Sequence, residues 1–179
     1  MNKKVLVVVG IIWGLVVVTG IAYFQMKKSS EQINIVELDK KENMVVEEGK
    51  VEKITLYTLS DKGDRLIKKE DEIPQYIKPK DKIRKITQLS IENLWKNKVL
   101  KTSQVEIGNI FITGDMAYID VDANMLELKS ENRKNLLAIY SIVNSVTEIG
   151  NIQKIKFLID GREEEEGSFS KVYTRNTNI

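Results

Sequence analysis

Residues 5–24 run without a single charge, between Lys3-Lys4 on one side and Lys27-Lys28 on the other. Nothing within the run is more polar than Thr19. A helix rises about 1.5 Å per residue, so a run of this length reaches about 30 Å, the thickness of a bilayer's hydrocarbon core. A helix apolar on every face otherwise needs a large core around it. The expectation is an N-terminal signal-anchor over residues 1–28 with a transmembrane helix at 5–24. A cleaved signal peptide is the rival. Its apolar core is usually shorter and ends in a small-x-small site. Here Tyr23 and Phe24 follow the last small residues, which suits an aromatic interface belt. Gly10 and Gly14 have the spacing of a helix-packing motif, although glycine is common in membrane helices. Basic residues are nearly balanced across the run. The short lysine-bearing N-terminus is the easier side to leave in the cytoplasm, so the rest of the chain is expected outside it.

The net charge of +2 belongs to this segment. With its four flanking lysines set aside, 26 acidic residues face 24 basic ones. That balance argues against nucleic-acid binding. The roughly 150 residues beyond it suffice for one domain with a proper core. There is no cysteine, so packing alone must stabilise an exported domain. There is no histidine either. Ser-His-Asp, Cys-His, His-Glu-x-x-His and Cys-x-x-Cys chemistries are therefore excluded. No glycine-rich phosphate loop occurs, and no catalytic, cofactor-binding or metal-ligating set stands out.

Residues 29–50 are polar, mixed in charge and weakly periodic, and read as a tether with at most a short strand at 43–46. Residues 53–60 alternate polar and apolar, the period of a half-buried strand. Asp61-Lys62-Gly63-Asp64 is a turn, and 65–70 return as a more polar strand. Pro74 and Pro79 bracket a loop. Asp81 is placed to cap a helix to about Asn97, with Ile83, Ile86, Leu89, Ile91 and Leu94 on one face. Val105, Ile107, Ile110 and Ile112 mark a strand with a bulge at Gly108-Asn109. Gly114-Asp115 is a hairpin turn into 116–121, where Ala117, Ile119 and Val121 point one way, Tyr118, Asp120 and Asp122 the other. Ser130 is placed to cap a second helix running to about Ile149 before Gly150. A strand at 152–159 and a last short one near 168–174 follow. The order is β-β-α-β-β-α-β before that last piece. The simplest α+β arrangement puts both helices on one face of a mixed sheet.

Three of these pieces resemble a GerMN domain, the module named after the spore germination protein GerM. They are the return strand Gly114-Asp115-Met116-Ala117-Tyr118-Ile119-Asp120-Val121-Asp122, the helix end Val143-Asn144-Ser145-Val146-Thr147-Glu148, and the strand 152–161 with its Phe157-Leu158-Ile159-Asp160-Gly161 finish. The resemblance covers roughly residues 51–174, leaving 175–179 as a tail. It implies a small membrane-tethered domain outside the cytoplasm, with a fold akin to the ring-building motifs of envelope assemblies. It implies no catalytic residue and no cofactor.

Several charged groups invite a chemical reading and a plainer one. Asp120 and Asp122 sit two residues apart and would converge on a cation, or simply end a strand. Glu163, Glu164, Glu165 and Glu166 form either a cation or partner site or a solvated turn. Lys78, Lys80, Lys82, Arg84 and Lys85 cluster at the first helix's start, where cations oppose the helix dipole. They suit anionic lipid, a wall polymer or plain solvent. The favoured function is a membrane-anchored, non-enzymatic extracytoplasmic module docking on envelope proteins or on its own copies. Sheet edges and exposed strand faces near Tyr118 and Tyr173 would make the contacts. The alternative is a wall-binding or wall-modifying domain acting through acidic surface residues.

Overall fold

The structure, a computed structural model, describes residues 44–179. The expected transmembrane helix at 5–24 and the tether up to 43 lie outside the described residues. Among the described residues no helix is long and apolar enough to cross a membrane.

The chain opens with a long antiparallel hairpin, β1 (Val46–Leu59) and β2 (Leu66–Tyr76). Helix α1 (Pro79–Lys96) follows, then β3 (Ile107–Thr113) and β4 (Met116–Val121). A 3-10 segment, Ala123–Leu128, leads to α2 (Arg133–Val146). Strand β5 (Lys154–Ile159), a 3-10 turn at Ser168–Ser170 and β6 (Val172–Thr174) complete the fold. Strands β3-β4-β5-β6 form one mixed sheet, parallel between β4 and β5 and antiparallel elsewhere.

The expected α+β class and element order are present, but the strands form two sheets where one was expected. The reason is local. In the β1–β2 register, Ser60 N–H donates to the Arg65 carbonyl (2.9 Å), so every second residue back along β1 turns its backbone away from β2. Tyr57 is one of these. Its outward N–H donates to Ser145 Oγ of α2 at 2.8 Å. A helix side chain thus occupies the edge where a further strand would have paired.

Helix α2 is the centre of the core. Residues 141–147 are all buried, so both the apolar stripe and the intervening polar positions are covered. Leu137, Ile139, Ile142, Val143 and Val146 share one apolar cluster with Ile119, Ile155 and Phe157 from the sheet, Ile83 and Leu94 from α1, and Leu56 from β1. The polar members are matched. Ser145 Oγ also donates to the Ser141 carbonyl (2.6 Å). Asn144 accepts from the Asn176 N–H (2.9 Å) and donates to the Asn176 carbonyl (2.7 Å). Tyr57 O–H donates to Glu148 (2.8 Å), and Arg175 bonds both of them. Residues 175–179, expected as a tail, are docked through Arg175 and Asn176 at the end of α2, with Ile179 packed at the edge of the core.

Other boundaries shift for physical reasons. Strand β1 begins at Val46, inside the stretch read as tether, because its partner β2 continues through Pro74 to Tyr76. Pro74 lies at a position whose missing N–H faces away from β1, where an edge strand tolerates proline. Pro79 is the first residue of α1, so Asp81 is not the cap. Asp81 is buried, and its carboxylate accepts from the Val45 N–H at 3.3 Å. The cap of α2 is Asn132, accepting from Asn135 N–H at 2.9 Å, in place of Ser130. The expected bulge at Gly108 is present as a register shift between Ile107 and Ile110. A Cβ there would meet Asp120 Oδ2 at 2.3 Å.

Two measurements test this account. Ser145→Ala leaves the buried Tyr57 N–H unpaired and is expected to lower unfolding free energy in urea by about 1–3 kcal/mol. Gly167 has φ +74°, and a Cβ would lie 2.7 Å from the Lys129 carbonyl oxygen. Gly167→Ala is expected to cost about 2–3 kcal/mol in the same assay.

Candidate interaction surface

The four-stranded sheet has one covered and one open face. Alternation along each strand decides which residue goes where. Ala117, Ile119 and Val121 of β4, Ile155, Phe157 and Ile159 of β5, and Tyr173 of β6 point inward and are buried. The opposite set faces out. Register aligns Phe111, Tyr118, Lys156 and Val172 in one row across all four strands. Phe111 is 53% exposed and Val172 50%. Lys156 is buried although it lies in the outer row. Its ammonium bends to the Ser170 carbonyl (2.6 Å) and lies 3.4 Å from Glu163. Its aliphatic stem therefore joins Tyr118 and Val172 in the row, as long cationic side chains do on apolar surfaces. Met116 and Leu158 flank the row, half-buried.

Tyr118 stands on this outer face, as its strand parity predicted. Tyr173 does not. It is buried against Phe157 and Tyr140, and its hydroxyl donates to the Ser168 carbonyl at 2.7 Å. Burial pushes its phenol up from the ordinary 10 to about 12. Phe111, Lys156 and Val172 went unnamed from the sequence as surface residues. The Gly114-Asp115 turn already fixed Phe111 opposite Tyr118, so that pairing was recoverable. The position of β6 beside β5 was not.

Asp120, Asp122, Glu163 and Glu164 are engaged by the fold. Asp120 accepts from the Gly161 N–H at 2.7 Å. Asp122 lies beyond the end of β4 and caps the following 3-10 segment, accepting from Asn124 N–H and Glu106 N–H, each at 3.0 Å. The two carboxylates hold different turns and do not converge. Glu164 bonds Lys129 at 2.6 Å, and its carboxylate raises that ammonium above its usual value. Ser168 N–H donates to the Lys129 carbonyl, which holds the acidic loop against the segment before α2. Phe169 then enters the core against Phe157. Among the described residues no group of three or more acidic side chains has metal-binding geometry.

The basic cluster is dispersed in the same way. Lys82 is paired with Glu52, and Arg84 donates to the Ile107 carbonyl, tying α1 to β3. Two shallow concavities flank α1. One, of about 130 Å³, is lined by Lys53, Thr55, Lys82, Ser145 and Glu148. The other, of about 260 Å³, is lined by Gln88, Glu92, Trp95 and Ser103. Their acids are already partnered: Glu148 by Tyr57 and Arg175, and Glu92 by Lys96 at 2.7 Å.

The buried phenol of Tyr173 predicts an alkaline loss of stability. Below pH 10 the tyrosine is protonated folded and unfolded, and its contribution is whole. Between pH 10 and about 12 only the unfolded form ionises, so stability falls as pH rises through that window. Urea unfolding at stepped pH is expected to show this fall, and Tyr173→Phe to flatten it.

This arrangement has known counterparts. The tandem GerMN domains of the sporulation protein GerM from Bacillus subtilis align with 78% of this chain at 14% identity and a TM-score of 0.52. The chain spans about half of that tandem, 51% of its length. The first GerMN domain of the same protein aligns with 72% of this chain and 96% of its own, at 14% identity and a TM-score of 0.50. At that identity the likeness concerns the fold. No curated protein matches the chain. A family model described as Germane, sporulation and spore germination, matches residues 55–165. That span runs from the middle of β1 into the acidic loop after β5, and the chain therefore belongs to the Germane family and carries a GerMN-like domain.

Proposed function

We propose that this protein is a non-enzymatic interaction module of the bacterial cell envelope. In this reading residues 5–24 anchor it in the cytoplasmic membrane, with the domain outside the cytoplasm. It docks into a protein assembly through the open face of the four-stranded sheet. The observation that carries the reading is the row Phe111, Tyr118, Lys156 and Val172. An aromatic and an aliphatic side chain, each half exposed at the two edges of one rigid sheet, suit a protein contact better than solvent. The edge strand β3 adds backbone groups that a partner strand can pair with. The family's description supports a context in sporulation or germination. The alternative through acidic residues draws no support from the geometry, since Asp120, Asp122 and Glu164 are bonded within the fold.

Photo-crosslinking amino acids placed at 111 and 172 in the full chain in cells test this. Both positions are expected to capture the same partner or a second copy, whereas position 69 on β2 captures neither. Phe111→Asp with Val172→Asp is expected to abolish the adduct while changing stability by less than about 1 kcal/mol, as surface substitutions do. Equal labelling at 69, 111 and 172, or an adduct that survives the double substitution, would defeat the proposal.

A further inference from the structure

The hairpin's open end carries a second exposed surface, remote in sequence from the sheet row. There the Ile77 N–H donates to the Val45 carbonyl (3.2 Å), Val46 lies opposite Tyr76, and Val51 opposite Pro74. Five apolar side chains crowd this end: Met44, Val45, Val46, Val51 and Ile77. Val51 is 67% exposed and Ile77 61%. They are held in place, because Asp81 in the first turn of α1 grips the Val45 N–H.

Charges of both signs surround them. Lys78 and Lys80 follow Ile77 directly, at the start of α1. Cations at a helix N-terminus oppose its dipole, so helix stability does not explain them. Lys50 stands beside Val51 and is paired with Glu47 at 2.9 Å. Glu48 is a second acid on the rim beside Glu47, and Asp81 a third at its base. The described chain begins at this very end, and only residues 25–43 separate it from the uncharged run at 5–24. Fewer than twenty residues, even fully extended, reach at most about 65 Å. The hairpin end is thus the described part nearest to the run in sequence.

We propose that the open end of the β1–β2 hairpin rests on the surface of an anionic phospholipid bilayer. Its apolar side chains enter the interface, and its lysines meet lipid phosphates. This rests on the membrane-anchor reading and adds a second contact to it. A domain held at two points on the bilayer keeps a fixed tilt, which would leave its sheet face turned toward neighbours.

The fragment 43–179 contains the whole apolar core as one compact unit, so it can be tested without the run at 5–24. It is expected to co-sediment with vesicles of phosphatidylcholine mixed with phosphatidylglycerol, and to do so weakly with phosphatidylcholine alone. Val51→Asp with Ile77→Asp is expected to lower partitioning by at least roughly tenfold, and Lys78→Glu with Lys80→Glu by a similar factor at low salt. All four positions lie outside the buried core, and unchanged circular dichroism confirms folding. As a second measurement, the fluorescence of Ile77→Trp is expected to shift to the blue on the mixed vesicles only. Failure of the fragment to bind mixed vesicles at low ionic strength overturns the proposal. So does binding indifferent to V51D/I77D, or a lipid-free dimer that those substitutions dissolve. Carbonate extraction of the full chain from membranes tests the anchor separately. A chain that resists extraction while its fragment ignores vesicles keeps the anchor and loses the hairpin contact. An extractable chain whose fragment binds vesicles loses the anchor and keeps the lipid contact.

Discussion

The Ser145–Tyr57 hydrogen bond decides the architecture. A backbone N–H at a strand edge must find an acceptor or water, and a buried one left unpaired costs about 1–3 kcal/mol. In this domain the acceptor is a helix side chain. The first hairpin consequently joins the fold through α2 and remains separate from the main sheet. The same helix turn grips the docked C-terminal segment through Asn144 and Glu148. Asn144 and Ser145 in the last turns of the helix, and Glu148 just beyond its end, thus serve as brackets for two other segments. The Val-Asn-Ser-Val-Thr-Glu stretch, which makes this helix recognisable, is the stretch that carries those brackets.

The open sheet face follows from the same division. With both helices and β1 gathered on one side, every inward residue of β4 and β5 is covered, while on the outer side Phe111 and Val172 at the sheet's edges stay about half exposed. The fold compensates at its edges. Strand β2 presents Lys68, Lys69, Glu70, Asp71 and Glu72 in succession, charges that discourage unwanted pairing. Strand β3 carries no such guard, and its exposed residues include Phe111 and Ile112. The contrast between a charged edge and an apolar one distinguishes a protected border from a usable border.

Much of this was legible in the sequence because it depends on near neighbours. The period of two in residues 116–121 separated inner from outer residues correctly. Gly114-Asp115 fixed the β3–β4 register, and the apolar stripe fixed α2. Features that depend on distant partners were hidden. Asp81 looked like a cap because Asp often is one, yet it serves Val45 N–H across the fold. Tyr173 looked exposed in a short polar strand, yet β6 pairs with β5 so that Tyr173 points inward. Asp120 and Asp122 admitted a cation site or a plain strand end, and the strand does end between them, each carboxylate turning to different backbone N–H groups. Residues 175–179 read as a tail because nothing local marks Asn176 as the partner of Asn144.

The contact of Arg175 with Tyr57 joins residues 118 apart in sequence. Such a closure carries a loop entropy, and it cannot form until the segment beyond β6 exists. During synthesis from the N-terminus, β1 and α1 emerge long before the residues that secure them. The Tyr57 hydroxyl and the C-terminal end of α2 must then wait for residues 175–179. A chain cut just after β6 would retain every strand and both helices, yet it would lack its final latch. Closure of the domain is thereby coupled to synthesis of the segment that follows β6, so a chain terminated before that segment would stay loosely closed and open to proteolysis.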